Sequence, residues 1–331
     1  MKTILAGLMT ATLLSAGSAL AAEINPAVVY DFGGKFDKSF NEAAYVGAER
    51  YQEETGTGYR DFEIQSDAQR EQALRRFARD GHSPIIAVGF AQAAAVEAVA
   101  PEFPDLQFAI VDAVVELPNV RSILFKEEEG SYLVGLLAAM KSETGTVGFV
   151  GGMDVPLIRK FACGYAGGVK AANADATVIQ NMTGTTGAAW NDPVRGGELT
   201  RSQIDQGADV VFHAAGATGI GVLQAAADAG RFGIGVDSNQ NALHPGHVLT
   251  SMVKRVDNAV FAAFEDAAND RWTAGTVVLG LAEEGVDYAV DENNESLLTE
   301  EMRAAAEQAK ADIIAGTVEV HDYYTDSACP Y

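Results

Sequence analysis

The chain has 331 residues, 48% of them hydrophobic, and 46 acidic against 23 basic side chains give it a formal charge of −23. So acidic a balance repels nucleic acid and anionic membrane surfaces, which argues against a nucleic-acid partner, and serves solubility. The length exceeds one typical domain, so two lobes are expected.

Met1-Lys2-Thr3 is a short basic start, Ile4 to Leu14 is an apolar run too short to span a bilayer, and Ala19-Leu20-Ala21 offers a small-x-small cleavage site. Residues 1–21 therefore read as a secretory signal, and losing Lys2 with it takes the charge from −23 to −24. No cysteine stands at the cleavage point, so the exported protein is expected to be soluble in the periplasm and not lipid-anchored.

Strands and helices then alternate. Ile24–Tyr30 reads as a strand and Ser39–Thr55 as a helix, with Phe40, Ala44, Gly47 and Tyr51 at helical spacing. Between them lies Asp31-Phe-Gly-Gly-Lys-Phe-Asp37-Lys-Ser-Phe40-Asn41, in which Asp37 or Ser39 is expected to cap the helix. A carboxylate at a strand's C-terminal end, an aromatic ring and an amide converge there, where open α/β sheets bind ligands. An ordinary capped βα turn would carry the same residues. The strand Tyr59–Ile64, the helix Asp67–Asp80, the strand Ile85–Val88 and the helix Ala91–Ala100 follow. Strands at Gln107–Val111 and Val120–Phe125 and a helix at Glu127–Met140 complete a first series. A second series holds strands at Thr146–Val150, Ala176–Asn181, Asp209–Ala214, Gly233–Asp237, Val248–Lys254 and Thr276–Leu281. Its helices are Leu157–Ala172, Pro193–Gln206, Gly219–Ala229, Asn258–Asn269 and Thr299–Ala315. Regular βα alternation predicts parallel sheets covered on both faces, and the missing floppy linker predicts a ligand site between two lobes.

Asp31, Gly89-Phe90, Asp112, Gly216 and Asp237 all fall at predicted strand C-termini. Trp190 opens a Trp-Asn-Asp-Pro turn that would hold its indole at a cleft edge; a core tryptophan is the competing reading. Lys254 ends an apolar strand, either as a solvated charge or as a partner of Asp237. Cys163 and Cys329, an isolated pair in an exported chain, are a disulfide candidate, with two unpaired thiols the alternative.

Other chemistries fit less well. Gly216-Ala-Thr-Gly219-Ile-Gly221 with Asp237 imitates a dinucleotide fingerprint, but it sits in the middle of the second series in an exported chain. His244 and His247 flank Pro-Gly, which breaks the helix that would align them on a metal. No nucleophile elbow or phosphate loop is present, so no enzyme, cofactor or metal is expected.

On Asp37-Lys-Ser-Phe-Asn41, Phe125-Lys-Glu-Glu-Glu-Gly-Ser-Tyr-Leu133, Gly148-Phe-Val-Gly-Gly-Met-Asp154, Trp190-Asn-Asp-Pro193 and Ser251-Met-Val-Lys254, the chain resembles the basic membrane protein family of ABC-transporter substrate-binding proteins, the purine nucleoside receptor-like group. The resemblance implies an α/β type I periplasmic-binding-protein fold: two Rossmann-like lobes with parallel sheets, joined by three crossovers. The expected division is residues 22–145 plus about 252–275 in lobe 1, and 146–251 plus about 276–331 in lobe 2. It implies a monomer that delivers a nucleoside such as adenosine, guanosine or inosine to an ABC permease in the inner membrane. Phe40 and Trp190 would sandwich the base, Asn41 and Asp112 would meet its edge, and Asp237 and Lys254 would hold the ribose. Asp31, Gly89, Phe90 and Gly216 would complete the shell. Two departures stand out: many relatives are lipoproteins, and Trp190 replaces a phenylalanine common among them. The rival readings are an exported binder of a sugar or another small signal molecule, and a nucleoside-acting enzyme.

Overall fold

The structure, a computed structural model, describes residues 24–331, and the expected signal at 1–21 lies outside the described residues. Its first strands, β1 (Ala27–Tyr30), β3 (Ile85–Val88) and β4 (Phe108–Val111), consist of Ala, Val, Ile, Phe and Tyr with every residue buried. Continuous apolar runs of this kind are what a parallel sheet covered on both faces requires. Between them lie α1 (Phe40–Thr55), β2 (Arg60–Glu63), α2 (Ala68–Arg79) and α3 (Ala93–Val99), and β5 (Val120–Phe125) follows.

The chain continues through α4 (Glu127–Lys141), β6 (Thr146–Met153), α5 (Pro156–Ala172), β7 (Thr177–Gly184), α6 (Pro193–Asp205), β8 (Val210–Ala214), α7 (Thr218–Asp228) and β9 (Phe232–Asp237). It ends with β10 (Val248–Lys254), α8 (Val256–Ala268), β11 (Gly275–Leu279), β12 (Val286–Tyr288) and α9 (Glu300–Ile314). Two six-stranded sheets result, in the orders β2-β1-β3-β4-β5-β11 and β7-β6-β8-β9-β10-β12. Among the described residues, all pairings between these named strands are parallel except β12 on β10. The two lobes thus repeat one topology. In each, the strand order reverses beside the first strand, at β1/β3 and at β6/β8, and the loops leaving the strand ends there diverge into a crevice.

The chain passes between lobes at Lys126, at Arg255 and over residues 280–285. These passages are bonded to one another. Lys126 N–H donates to the Leu279 carbonyl (3.0 Å), Arg255 N–H to the Gly285 carbonyl (2.8 Å), and Leu281 N–H to the Glu129 carboxylate (2.8 Å).

The division differs from the expected one. The first crossing falls at 126 and not 145, because α4 packs against α5, β10 and α9 of the second lobe. Gly168 makes that contact: a Cβ there would lie 1.9 Å from the Tyr132 carbonyl oxygen, so only a bare backbone lets α5 approach α4 so closely. The third crossing comes after β11, which pairs with β5 of the first lobe. The short antiparallel edge strand β12 has no counterpart in the sequence reading. Cys163 on α5 is bonded to Cys329 (Sγ–Sγ 2.14 Å), fastening the C-terminal tail to the second lobe.

Candidate functional site

The loop after β1 is built around two side chains. The Asn41 amide accepts the Asp31 N–H (3.1 Å) and donates to the carbonyls of Asp31 and Phe32 (both 3.2 Å), pinning the strand end to the first turn of α1. Asp37 accepts the N–H groups of Ser39 (2.8 Å), Asn41 (3.0 Å) and Glu42 (3.1 Å) and so caps α1. Burial pushes the Asp37 carboxyl up to about 6 even against those three donors. Of the two expected caps, Asp37 takes the role. The Ser39 hydroxyl instead reaches the second lobe, donating to the Asp237 carboxylate at 2.6 Å.

Asp31 is paired with the buried Arg70 of α2, whose guanidinium also lies 4.9 Å from the centre of the Phe32 ring. Burial raises the Asp31 carboxyl, with Arg70 opposing. Gly89, at φ 107°, lies beneath this carboxylate; a Cβ there would sit 2.9 Å from Asp31 Oδ2.

From the second lobe comes the loop after β7. Thr218 Oγ1 accepts the Asp192 N–H (2.7 Å) and donates to the Ala189 carbonyl (2.7 Å), while Asp192 caps α6 through the Arg195 N–H (2.9 Å). Pro193 occupies the first helical turn, where its missing N–H is no loss. The loop so fixed lays the Trp190 indole on Gly152, where a Cβ would lie 2.2 Å from the ring. The Phe90 ring meets it edge-on at 6.4 Å.

Lys254 closes the hinge side. Its ammonium is 2.7 Å from Asp112 and 2.8 Å from Glu127, and lies 5.2 Å from the centre of the Phe40 ring. Lys160 in turn contacts Glu127 (3.2 Å) and Glu128 (3.0 Å) and donates to the Phe125 carbonyl (2.9 Å). Burial would depress Lys254, but Asp112, Glu127 and Asp237 outweigh it and hold the group protonated. Glu127 is buried as well, yet its two ammonium neighbours hold it below the usual range. Asp112, with a single cationic partner, is pushed up by burial, with Lys254 opposing. Burial also raises Asp237, to about 6, against Lys254 and Ser39. Asp112 (φ 69°) and Asp237 (φ 62°) leave their strands in the left-handed region, which Asp tolerates better than most residues.

These groups line one cleft cavity between the lobes, enclosing about 580 Å³ of non-atom space open to solvent. Asp31, Phe40, Asn41, Gly89, Phe90, Asp112, Trp190, Gly216, Asp237 and Lys254 are all on its wall. Three of these side chains are already engaged with protein groups. The Asn41 amide is committed to the Asp31–Phe32 backbone. Lys254 pairs with Asp112 and Glu127, and Asp237 with Ser39, in place of an Asp237–Lys254 pair. Sequence reasoning missed Phe161, Leu157 and Ile158, which α5 brings to the cavity, and the supporting Arg70 and Glu127. Arg70 had a signal, an arginine on the apolar stripe Ala73, Leu74 and Phe77. Glu127 lies inside the Phe125–Leu133 segment that carries the resemblance, but nothing sets it apart there from Glu128 and Glu129, since all three acids suit the start of a helix.

The sequence matches, over residues 24–323, the model of the Bmp family, described as ABC transporter substrate-binding protein PnrA-like. It is 33% identical to an uncharacterized lipoprotein of Pyrococcus furiosus over 80% of this chain and 70% of that one. It is 29% identical, over 96% of this chain and 94% of that one, to a Lactococcus lactis protein named ABC transporter nucleoside-binding protein BmpA. An ABC transporter solute-binding protein of Aeropyrum pernix superposes with a TM-score of 0.84 at 30% identity, covering 92% of this chain and 95% of that one. The two-lobed fold, the cleft between its sheets and these matches agree: the chain belongs to the Bmp family of ABC-transporter substrate-binding proteins.

Proposed function

We propose that this protein captures a nucleoside, a purine before a pyrimidine, and releases it unchanged to an ABC permease. Members of its class bind a small ligand outside the cytoplasmic membrane and hand it to such a permease. The observation that carries the finer reading is the mixed wall of the cavity. Phe32, Phe40, Phe90, Phe161 and Trp190 supply ring surface, and Asp31, Asp37, Asp112 and Asp237 supply acceptors beside one ammonium. Base–aromatic stacking is worth about 1–3 kcal/mol per base, and a hydrogen bond to a charged group about 1.5–3 kcal/mol. A few such contacts reach micromolar to nanomolar affinity, about −8 to −12 kcal/mol. Four carboxylates around one already paired ammonium accept hydroxyl protons and repel phosphate, so a nucleoside fits where a nucleotide does not.

The protein works as an exported, unanchored monomer in this reading. The lipoprotein name of a relative points the other way. What supports the unanchored reading is the bond between Cys163 and Cys329, since attachment of a lipid needs a free cysteine. Calorimetric titration with guanosine, inosine, adenosine, cytidine, ribose and guanosine monophosphate is the test. Purine nucleosides should bind and be recovered intact, with the monophosphate weakest. Equal affinity for guanosine and its monophosphate would refute the site geometry; binding of ribose alone would carry the sugar reading instead.

A further inference from the structure

The serine at the N-cap position of α1 does no capping. Asp37 holds the first-turn N–H groups, and the fully buried Ser39 hydroxyl turns across the cleft to Asp237 Oδ2 (2.6 Å) and the Val236 carbonyl (3.3 Å). Two further bonds run between the same loops. The Ser238 hydroxyl donates to the Ser39 carbonyl (2.7 Å), and Gln240 Nε2 donates to the Lys38 carbonyl (2.9 Å). Lys38 adopts φ 64°. Gln240 is itself fixed, its Oε1 accepting the Val236 N–H (2.9 Å) and lying 2.9 Å from His213 Nε2. Residues 38–39 belong to the first lobe and 237–240 to the second.

We infer that Ser39 is a positioning residue that couples lobe closure to the binding site, by holding the Asp237 carboxylate from across the cleft. The bond costs α1 nothing, because the cap is supplied elsewhere. Every bond in the set joins the protein's own groups, so it favours the closed arrangement before a ligand adds its contacts. In the open arrangement water replaces the Ser39 hydroxyl and the Asp237 side chain is free to turn. Closure thus does two things at once: it brings the walls together and it orients an acceptor on the cavity wall. This inference rests on the ligand-capture reading of the cleft, and it concerns how that site is assembled.

Spin labels on Val46→Cys of α1 and Val194→Cys of α6, both exposed, report the distance between lobes without ambiguity, since the native cysteines are bonded to each other. Pulsed electron resonance on the otherwise wild-type protein without ligand should show a populated short-distance component. Ser39→Ala should lower its closed-to-open ratio roughly tenfold to a hundredfold, the worth of one hydrogen bond to a charged group. Ser238→Ala should lower it less, and its partly exposed hydroxyl makes it the safer variant should Ser39→Ala fold poorly. Distance distributions in either folded variant that superimpose on the wild type overturn the inference. Guanosine added to the same samples separates the two readings: it should bind Ser39→Ala about tenfold more weakly, through faster dissociation. A wild type whose ligand-free closure depends on Ser39, yet which ignores guanosine, retains the positioning role and retires the nucleoside.

Discussion

Replacing Lys254 with methionine removes the cation that Asp112 and Glu127 contact directly and that Asp237 feels at longer range. Lys254 is 1% exposed, so no water compensates for the loss. Breaking a buried ion pair from one side costs about 3–5 kcal/mol. The same figure follows from protonation: neutralising a carboxyl whose ordinary pKa is near 4 at pH 7.5 takes about 5 kcal/mol, and less where burial has already raised the group, as at Asp112. At pH 5 the same neutralisation takes only about 1–2 kcal/mol. In the variant, the folded-state pKa of Asp112 rises further above its unfolded value. The folded form then keeps a proton the unfolded form has lost, so the deficit is small below pH 4 and grows as pH rises through the folded pKa. Urea unfolding followed by circular dichroism at pH 7.5 and pH 5 measures both ends, and the melting point at pH 7.5 should fall by roughly 6–20 °C. Adding Asp112→Asn and Glu127→Gln should restore most of the loss. A deficit under about 1 kcal/mol at pH 7.5, or one equally large at pH 5, would refute the claim that Lys254 is the principal compensating charge of this carboxylate cluster.

Trp190→Ala should weaken guanosine binding roughly tenfold to a hundredfold by calorimetry, and unchanged affinity would remove the indole from the binding surface. Gly152→Ala should act on the same ring from behind, because the new Cβ displaces an indole now 2.2 Å from it; the measurement is Trp fluorescence with and without guanosine, and an unshifted spectrum would contradict the contact. Asp37 and Asp237 titrate near 6 and Glu128 near 7, all raised by burial, so their contribution to stability is full below about pH 4 and is lost as pH rises toward 7. Ligand affinity should move the opposite way, falling below pH 6 as Asp237 loses its capacity to accept; melting and binding curves that rise and fall together would contradict this assignment. Reduction of the Cys163–Cys329 bond, which spans 166 residues, should lower unfolding stability by about 2–4 kcal/mol, and an unmoved urea midpoint would exclude that contribution.

The elements themselves were legible because each has a local cause. The all-buried run Ile85–Val88 and the run Val120–Phe125, buried except at Leu124, match the expected strands residue for residue, and the Asp192–Pro193 helix start is a side-chain cap followed by a proline at the first turn. The site positions were legible for a related reason. A carboxylate or a glycine at a parallel strand's C-terminal end has one place to face, so Asp31, Gly89, Asp112, Gly216 and Asp237 could be named before their strands were ordered. What chain order could not reveal is which surfaces meet across long separations. That α4 belongs to the second lobe depends on the bare backbones of Gly135, Gly164 and Gly168 where α4 meets α5, and the three-residue β12 becomes a strand only because β10 has an open edge. The same limit governs the charges. Lys254 chooses Asp112 and Glu127 over Asp237, and Ser39 turns from its own helix to Asp237, because partners 127 to 198 residues apart are brought within about 3 Å by the crossovers. Local sequence dictates which groups stand at the cleft; the packing of two lobes decides which of them pair with one another and which are left for a ligand.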